Sequence, residues 1–162
     1  MSFRAELVEL MKLDAGITAV VSDKIVDIID NFEDFLNEEP NKADFPRILI
    51  RQNQVTKEEN LSGSDAKFEG SYEIEISNVI PSNYMRSRSL SLRELHNTKV
   101  REIDDLTDLV EEFCRDLRNT LVGDYFLSKA HTRNSTENAE SLNDNQTIIT
   151  KSFTLEVSFN KE

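Results

Sequence analysis

The residues best suited to chemistry in this sequence are carboxylates on one predicted helix. Its densest acidic cluster consists of Asp104, Asp105, Asp108, Glu111 and Glu112. Residues four apart share a helix face, so Asp104 lies beside Asp108 and Asp108 beside Glu112. Two such carboxylates could bind a hard divalent cation. With no glycine-rich loop, histidine or third set of oxygen ligands nearby, the cluster indicates a solvated helix face rather than a metal centre.

The other side chains that could take part in chemistry have fewer neighbouring groups to act with them. His96 and His131 lie far apart in polar sequence, and a catalytic histidine needs an oriented partner. The chain contains no phosphate-binding loop, dinucleotide fingerprint or nucleophile elbow. Its one cysteine, Cys114, falls among apolar helix positions, where a buried, inert thiol is expected. We therefore predict that the protein is not an enzyme and has no catalytic residue, metal or cofactor.

Three groups of residues are candidates for contacts with other copies or partners. One is a basic patch beside a tyrosine, which an ordinary polar crossover would also explain. A second is apolar and next to an acidic run, where packing in the core is an equal alternative. A third is a pair of acids on a predicted strand. The candidates are Phe32, Phe35, Leu36, Tyr84, Arg86, Arg88, Glu73 and Glu75.

Length and composition are typical of one soluble domain over residues 1–162. The chain carries a formal net charge of −12, with 38% apolar and 31% charged residues. Binding to nucleic acid over a broad surface needs clustered Lys and Arg, and binding to an anionic membrane needs a basic surface, so this charge argues against both. No apolar run approaches the length of a membrane span, and the first residues do not resemble a signal peptide. These features favour the cytoplasm.

The elements that must position these residues follow from hydrophobic spacing. Apolar residues recur every three or four positions over 99–121, which predicts one long amphipathic helix, starting as early as Leu92 and capped at its end by Gly123. Strict alternation predicts strands at 67–79 and 147–159, and a Pro-led strand is predicted at 47–53. The apolar rows that should face the long helix are Tyr72, Ile74, Ile76, Phe153, Leu155, Val157 and Phe159.

The remaining helices, strands and loops are predicted from shorter segments. Ser2 and Asp14 are suited to cap helices at 2–12 and 15–22. Residues 24–36 fit a helix or a strand followed by a turn. A short strand is expected around 124–131, and the polar tracts 55–66 and 132–146 are predicted as flexible loops. The fold class expected is α+β, with an antiparallel or mixed sheet of about four to five strands and the helices packed on one face.

The order of these elements resembles the siphovirus tail-completion family, also described as tail terminators or tail-to-head joining proteins. The likeness covers most of the chain and depends on the N-terminal helices with 14–21 (DAGITAVV), the strands at 45–50 (FPRILI) and 72–76 (YEIEI), the long helix, and the closing strand at 153–159 (FTLEVSF). The chain departs from the family pattern by extra residues at 27–44 and 81–98.

This resemblance implies a non-enzymatic virion protein of the tail or neck, assembled in the host cytoplasm. Such a protein forms a homo-oligomeric ring, commonly a hexamer, that ends growth of the tail tube. Its partners are the tail tube protein and the head-connector protein, and DNA passes through without specific binding. An acidic lumen face made of Asp105, Asp108 and Glu112 would let DNA pass and would give the net charge a use.

Two alternatives of other classes remain open from the residues alone. One is a small metal-dependent hydrolase or nuclease that uses the acids at 104–112. The other is an acidic adaptor that binds a basic protein.

Overall fold

One mixed β-sheet carries three helices in the computed structural model, which describes residues 2–28, 45–58, 67–81, 90–143 and 146–161. The helices are α1 (Phe3–Lys12), α2 (Ala15–Val21) and α3 (Leu90–Arg115). The strands are β1 (Ile25–Ile28), β2 (Arg47–Glu58), β3 (Lys67–Pro81), β4 (Leu121–Val122), β5 (Tyr125–Asn143) and β6 (Gln146–Lys161).

The strands lie in the order β1-β2-β3-β6-β5-β4. β1 runs parallel to β2, and every other neighbouring pair is antiparallel. The α+β class and the mixed sheet are therefore confirmed, with six strands where about four to five were expected. None of the described helices is long and apolar enough to cross a membrane.

The helices cover one side of the sheet, called here the helix side, and the core lies between the two layers. All seven residues of the predicted apolar rows on β3 and β6 are buried there. The ring of Phe3 on α1 stacks on Phe159, with centroids 4.9 Å apart, and lies 5.1 Å from the ring of Tyr72. On α3, Leu106, Val110 and Cys114 join the same core. The prediction that the long helix packs against these rows is confirmed.

The first two helices begin where their capping residues predict. The Ser2 hydroxyl accepts a hydrogen bond from the Ala5 amide at 3.2 Å, and the Asp14 carboxylate accepts one from the Ile17 amide at 2.9 Å. Each cap satisfies a backbone donor that the first helical turn leaves without a partner. Residues 25–28, for which helix and strand were both open, form β1; residues 29–36 lie outside the described part of the chain.

The predicted end of the long helix is wrong. α3 ends at Arg115, where amides of Leu117 and Arg118 bond three residues back, to Cys114 and Arg115, at 3.3 Å. The continuing apolar spacing is misleading because Leu121 and Val122 belong to β4. Gly123 has a φ of 59° in the two-residue turn from β4 to β5 rather than at a helix cap, and an added Cβ there would clash with the Glu6 side chain.

The loop predicted at 132–146 is also wrong for most of its length. β5 continues to Asn143, and its register with β6 runs from Tyr125 opposite Lys161 to Asn143 opposite Gln146. Apolar alternation is absent because β5 side chains from Arg133 to Ser141 are exposed on both faces. The loop predicted at 55–66 begins inside β2, which extends to Glu58, and residues 59–66 are outside the described ranges.

Candidate functional site

The acidic cluster of α3 divides into two sets with different surroundings. Asp104 forms an ion pair with Lys151 on β6, and Glu111 accepts a hydrogen bond from the Ser135 hydroxyl at 3.4 Å. These two acids connect the helix to the sheet. Asp105, Asp108 and Glu112 are exposed and form the acidic stripe of α3. The sequence correctly identifies these three as a solvated face; that they line a lumen stays a prediction.

No metal centre is formed by these acids in the described ranges. Across residues 2–28, 45–58, 67–81, 90–143 and 146–161, no three His, Cys, Asp or Glu side chains are arranged to hold a metal ion. His96 lies on α3, where burial lowers its pKa, and His131 is exposed on β5 opposite Glu156. The described structure therefore offers no observation in favour of a metal-dependent hydrolase.

Cys114 is fully buried in the core, as expected from its position on the apolar face of α3. Burial raises the pKa of its thiol well above the ordinary range, because the thiolate would lose its hydration. A thiol held protonated in apolar surroundings is a poor nucleophile. This residue contributes to packing.

The side of the sheet opposite the helices, called here the far side, carries cross-strand polar pairs. Arg51 on β2 forms an ion pair with Glu73 on β3, its Nε donating at 3.0 Å. The Ser77 and Thr150 hydroxyls are hydrogen-bonded at 2.9 Å between β3 and β6. Such pairs connect neighbouring strands and stabilise the sheet. A small apolar cluster of Phe45, Val79 and Ile148 lies apart from the main core.

Glu75 is an acid of the far side whose pKa departs from its ordinary value. It lies two residues from Glu73 on the same face of β3 and opposite Leu49 of β2. Burial raises the pKa of its carboxyl, and a hydrogen bond and charge repulsion from Glu73 raise it further. The predicted partner contacts Glu73 and Glu75 thus interact within the chain, and a role in assembly is untested.

A polar trough of about 270 Å³ lies on the far side near the β2–β3 hairpin. Its lining carries both signs of charge, with Lys129 from β5, Glu69 from β3 and Glu156 from β6. Glu156 also forms an ion pair with Arg133. The remaining lining is amide, hydroxyl and backbone, so the trough is suited to a polar segment rather than to an apolar ligand. The lining residues are Gln54, Thr56, Glu69, Gly70, Ser71, Lys129, Glu156, Val157 and Ser158.

The most open feature of the fold is one that sequence reasoning missed. β4 pairs with only the first two residues of β5, and from Ala130 to Glu140 no described strand pairs with the outer edge of β5. A long unpaired edge offers backbone donors and acceptors to another strand. The absence of any Gly or Pro from 124 to 146 was the available signal for a continuous strand.

Six of the predicted contact residues lie outside the described part of the chain. They are Phe32, Phe35, Leu36, Tyr84, Arg86 and Arg88.

Comparison with known proteins yields little. No protein-family model matches the chain, and no curated protein matches it. Among solved structures, the chain is similar to one from a structure described as the virion of a native gene transfer agent particle. The two are 10% identical, the match covers 93% of this chain and 91% of that chain, and the TM-score is 0.46. Likeness at this level does not transfer a function.

Proposed function

We propose that this protein is a non-enzymatic structural component of a phage-like virion, whose copies form a ring that ends the tail tube and meets the head connector. The observation that carries the proposal is the sheet. Its helix side is covered by the chain's own helices, and the outer edge of β5 from Ala130 to Glu140 pairs with no described strand. A domain with a complete core and a long unpaired strand edge is suited to self-association.

The order of elements supports the more specific part of the proposal. The two N-terminal helices, the strand that follows Pro46, the long helix and the closing strand occur in the structure in the order that carries the resemblance to tail-completion proteins. The extended β5–β6 hairpin is the kind of element that contacts a neighbour in an assembly.

Charge supports a role beside DNA without binding it. The chain carries a net charge of −12, and Asp105, Asp108 and Glu112 share an exposed face of α3. A negative wall repels a polyanion and avoids the counterion release that drives binding. We propose that this acidic stripe faces the lumen.

Self-association is the first test. Size-exclusion chromatography with light scattering is run over a wide concentration range, with and without tail tubes, and the fractions are imaged by negative-stain electron microscopy. Rings, or discs at the ends of tubes, are expected. A protein that stays monomeric at every concentration and never binds tubes would contradict the proposal.

The acidic stripe has its own test. A variant with Asp105→Lys, Asp108→Lys and Glu112→Lys is compared with Asp105→Asn, Asp108→Asn and Glu112→Asn. The lysine variant is expected to retain duplex DNA in a filter-binding assay at low salt and to lose it as salt rises, because only it provides cations for phosphate. Calorimetric titration with Mg²⁺ and Mn²⁺ covers the enzyme alternative: tight binding that Asp108→Ala abolishes would contradict a purely structural role.

A further inference from the structure

The outer edge of β5 carries backbone groups that point away from the sheet. The Leu127 amide donates to the Thr120 carbonyl at 3.0 Å, and the Leu127 carbonyl accepts from the Asn119 amide at 2.7 Å, so both groups face outward. Outward and inward residues alternate along an antiparallel strand. The register of β5 with β6 carries this alternation past the bulges of β5. Glu137 and Ala139 are therefore outward residues, whose amides and carbonyls face away from β6.

The stretch from Thr136 to Glu140 is long enough to pair with another strand. Its register with β6 is unbroken, and its sequence, TENAE, contains no Pro. All five side chains are exposed, and no described strand pairs with the outer side of the stretch. Strands in folded proteins are usually about five or six residues long. We call the outer edge of this stretch the β5 edge.

Carboxylates line the helix side of the β5 edge. Glu137 lies opposite Lys151 of β6, and Lys151 pairs with Asp104 of α3, so the Glu137 side chain is on the helix side. The hydrogen bond to Asp104 raises the pKa of Lys151 against the effect of burial, and the charges of Asp104, Glu137 and Asp108 raise it further. Three carboxylates thus act on one ammonium group, which leaves excess negative charge beside the edge.

One flank of α3 continues this negative charge along β5. Its acidic row consists of Asp104, Asp108 and Glu111. Spacings of four and three residues place the row on one flank of the helix. Glu111 accepts a hydrogen bond from the Ser135 hydroxyl at 3.4 Å, so the row lies next to the start of the stretch. The arginines of this flank, Arg101 and Arg115, lie beyond the two ends of the row.

This charge makes a second copy of the chain a poor occupant of the β5 edge. Antiparallel pairing of two β5 edges would bring two acidic rows onto the same face of the joined sheet, with Glu137 from each copy between them. Each copy also carries a net charge of −12. Like charges on paired strands are destabilising, whereas opposite charges stabilise the pair. The acids therefore protect the edge from self-pairing and leave it open to a strand that carries cations.

We propose that an extended segment of another protein, with Lys or Arg at alternate positions, adds to the β5 edge as an antiparallel strand. Backbone hydrogen bonds to Glu137 and Ala139 supply the pairing, and the side chains supply the selectivity. Every second side chain of the added strand lies on the helix side, where its cations meet Glu137 and the acidic row. The inference goes beyond the proposed ring and does not require it, because a single folded copy presents the edge.

A labelled peptide tests the proposal on the wild-type protein. The probe is a fluorescent octapeptide that alternates Lys with Val or Thr, and fluorescence anisotropy at low salt measures its binding. In an antiparallel pair, the peptide residues whose amides face β5 have their side chains on the helix side, so they are the lysines. N-methylation of the lysine amides is therefore expected to weaken binding by at least about tenfold. N-methylation of the Val and Thr amides is the matched control and is expected to leave binding intact.

Two pairs of protein variants test the edge from the other side. Ala139→Pro removes an outward amide and is expected to weaken peptide binding by at least about tenfold, whereas Ala139→Ser keeps the amide and the affinity. Glu137→Lys is expected to weaken binding by about fivefold or more. Glu112→Lys makes the same change of charge on another face of α3 and is its control. Circular dichroism and thermal melts establish which variants are folded.

Amide hydrogen exchange of the wild-type protein applies even if a variant fails to fold. Added peptide is expected to slow exchange at the Glu137 and Ala139 amides by at least about tenfold, because outward amides become hydrogen-bonded. The Asn138 amide faces β6 and is the internal control.

Several results would overturn the inference. Equal binding of the two N-methylated peptides would show that charge alone attracts the probe. Slow exchange at Glu137 and Ala139 in a peptide-free dimer would show that a second copy occupies the edge. A lysine peptide that does not bind at millimolar concentration would also refute it, and the proposed ring would be unaffected by any of these outcomes.

Discussion

From Phe153 to Phe159 of β6, every second side chain is buried beneath the helices, whereas on β5 from Arg133 to Ser141 every side chain is exposed. Both segments belong to antiparallel strands of one sheet, and a bulge interrupts the second between Arg133 and Thr136. The first is held by an apolar row and the second by backbone hydrogen bonds and polar cross-strand pairs. We therefore expect most of the stability to come from the helix-covered part and little from the exposed hairpin.

Truncation of the core is the largest expected effect on stability. Phe153→Ala removes a ring that is 1% exposed, and we expect it to lower the free energy of unfolding by roughly 3–5 kcal/mol. Thr136→Ala in the exposed hairpin is the control and is expected to cost under about 1 kcal/mol. Urea denaturation measures both. Equal losses would show that the hairpin is part of the cooperative core.

Loss of the buried ion pair between Arg4 on α1 and Asp27 on β1 is expected to have the next largest effect on stability. The two side chains are 10% and 12% exposed. Burial raises the pKa of Asp27, and Arg4 opposes that shift. Arg4→Met leaves the carboxylate without its cation, and we expect a loss of roughly 2–4 kcal/mol. The double variant Arg4→Met with Asp27→Leu is expected to recover most of this loss; a purely additive result would show that the pair is not coupled.

Substitution of Glu75 measures how much stability is lost by burying a charged carboxylate on the far side of the sheet. Its pKa in the folded protein lies above the ordinary value of 4.5, so folding costs more when the carboxyl is ionised. That cost is present above the folded pKa and disappears as pH falls toward 4.5. Glu75→Gln is therefore expected to raise the melting temperature by a few degrees at neutral pH and to lose this advantage near pH 4.5. Glu112→Gln on the exposed stripe serves as the control, and a gain independent of pH would contradict the assignment.

A substitution in the acidic stripe of α3 is expected to change the free energy of unfolding least. Asp108→Asn removes one exposed charge without touching the core, so the free energy of unfolding should change by less than about 0.5 kcal/mol in urea denaturation. A clear gain in stability would show that repulsion within the stripe strains the fold. Such a gain would mean that the stripe lowers the stability of the fold and is kept because the function needs it.

The sequence was informative wherever side chains alternate between core and water. The caps at Ser2 and Asp14 and the row from Tyr72 to Ile76 are confirmed because local chemistry alone determines them. Residues 132–143 read as a loop because an exposed strand has no apolar period, and only the partner strand β6 makes it a strand. Leu121 continued a helical spacing, but the helix has already ended at Arg115 and Asn119 has a positive φ of 62°.

The unpaired strand edge could not be found in the same way. Which strand lies at a border depends on the order β1-β2-β3-β6-β5-β4, a property of distant pairings that no local pattern records. The acidic stripe, by contrast, follows from helical spacing alone, and its exposure agrees with that reading.

β6 runs without a break from Gln146 to Lys161, so the same strand passes the hairpin tip and the aromatic cluster around Phe159. Lys151, midway along it, holds Asp104 of the long helix. Near its C-terminal end, Phe159 stacks on Phe3 of the N-terminal helix, so one continuous strand contacts both the long helix and the first helix.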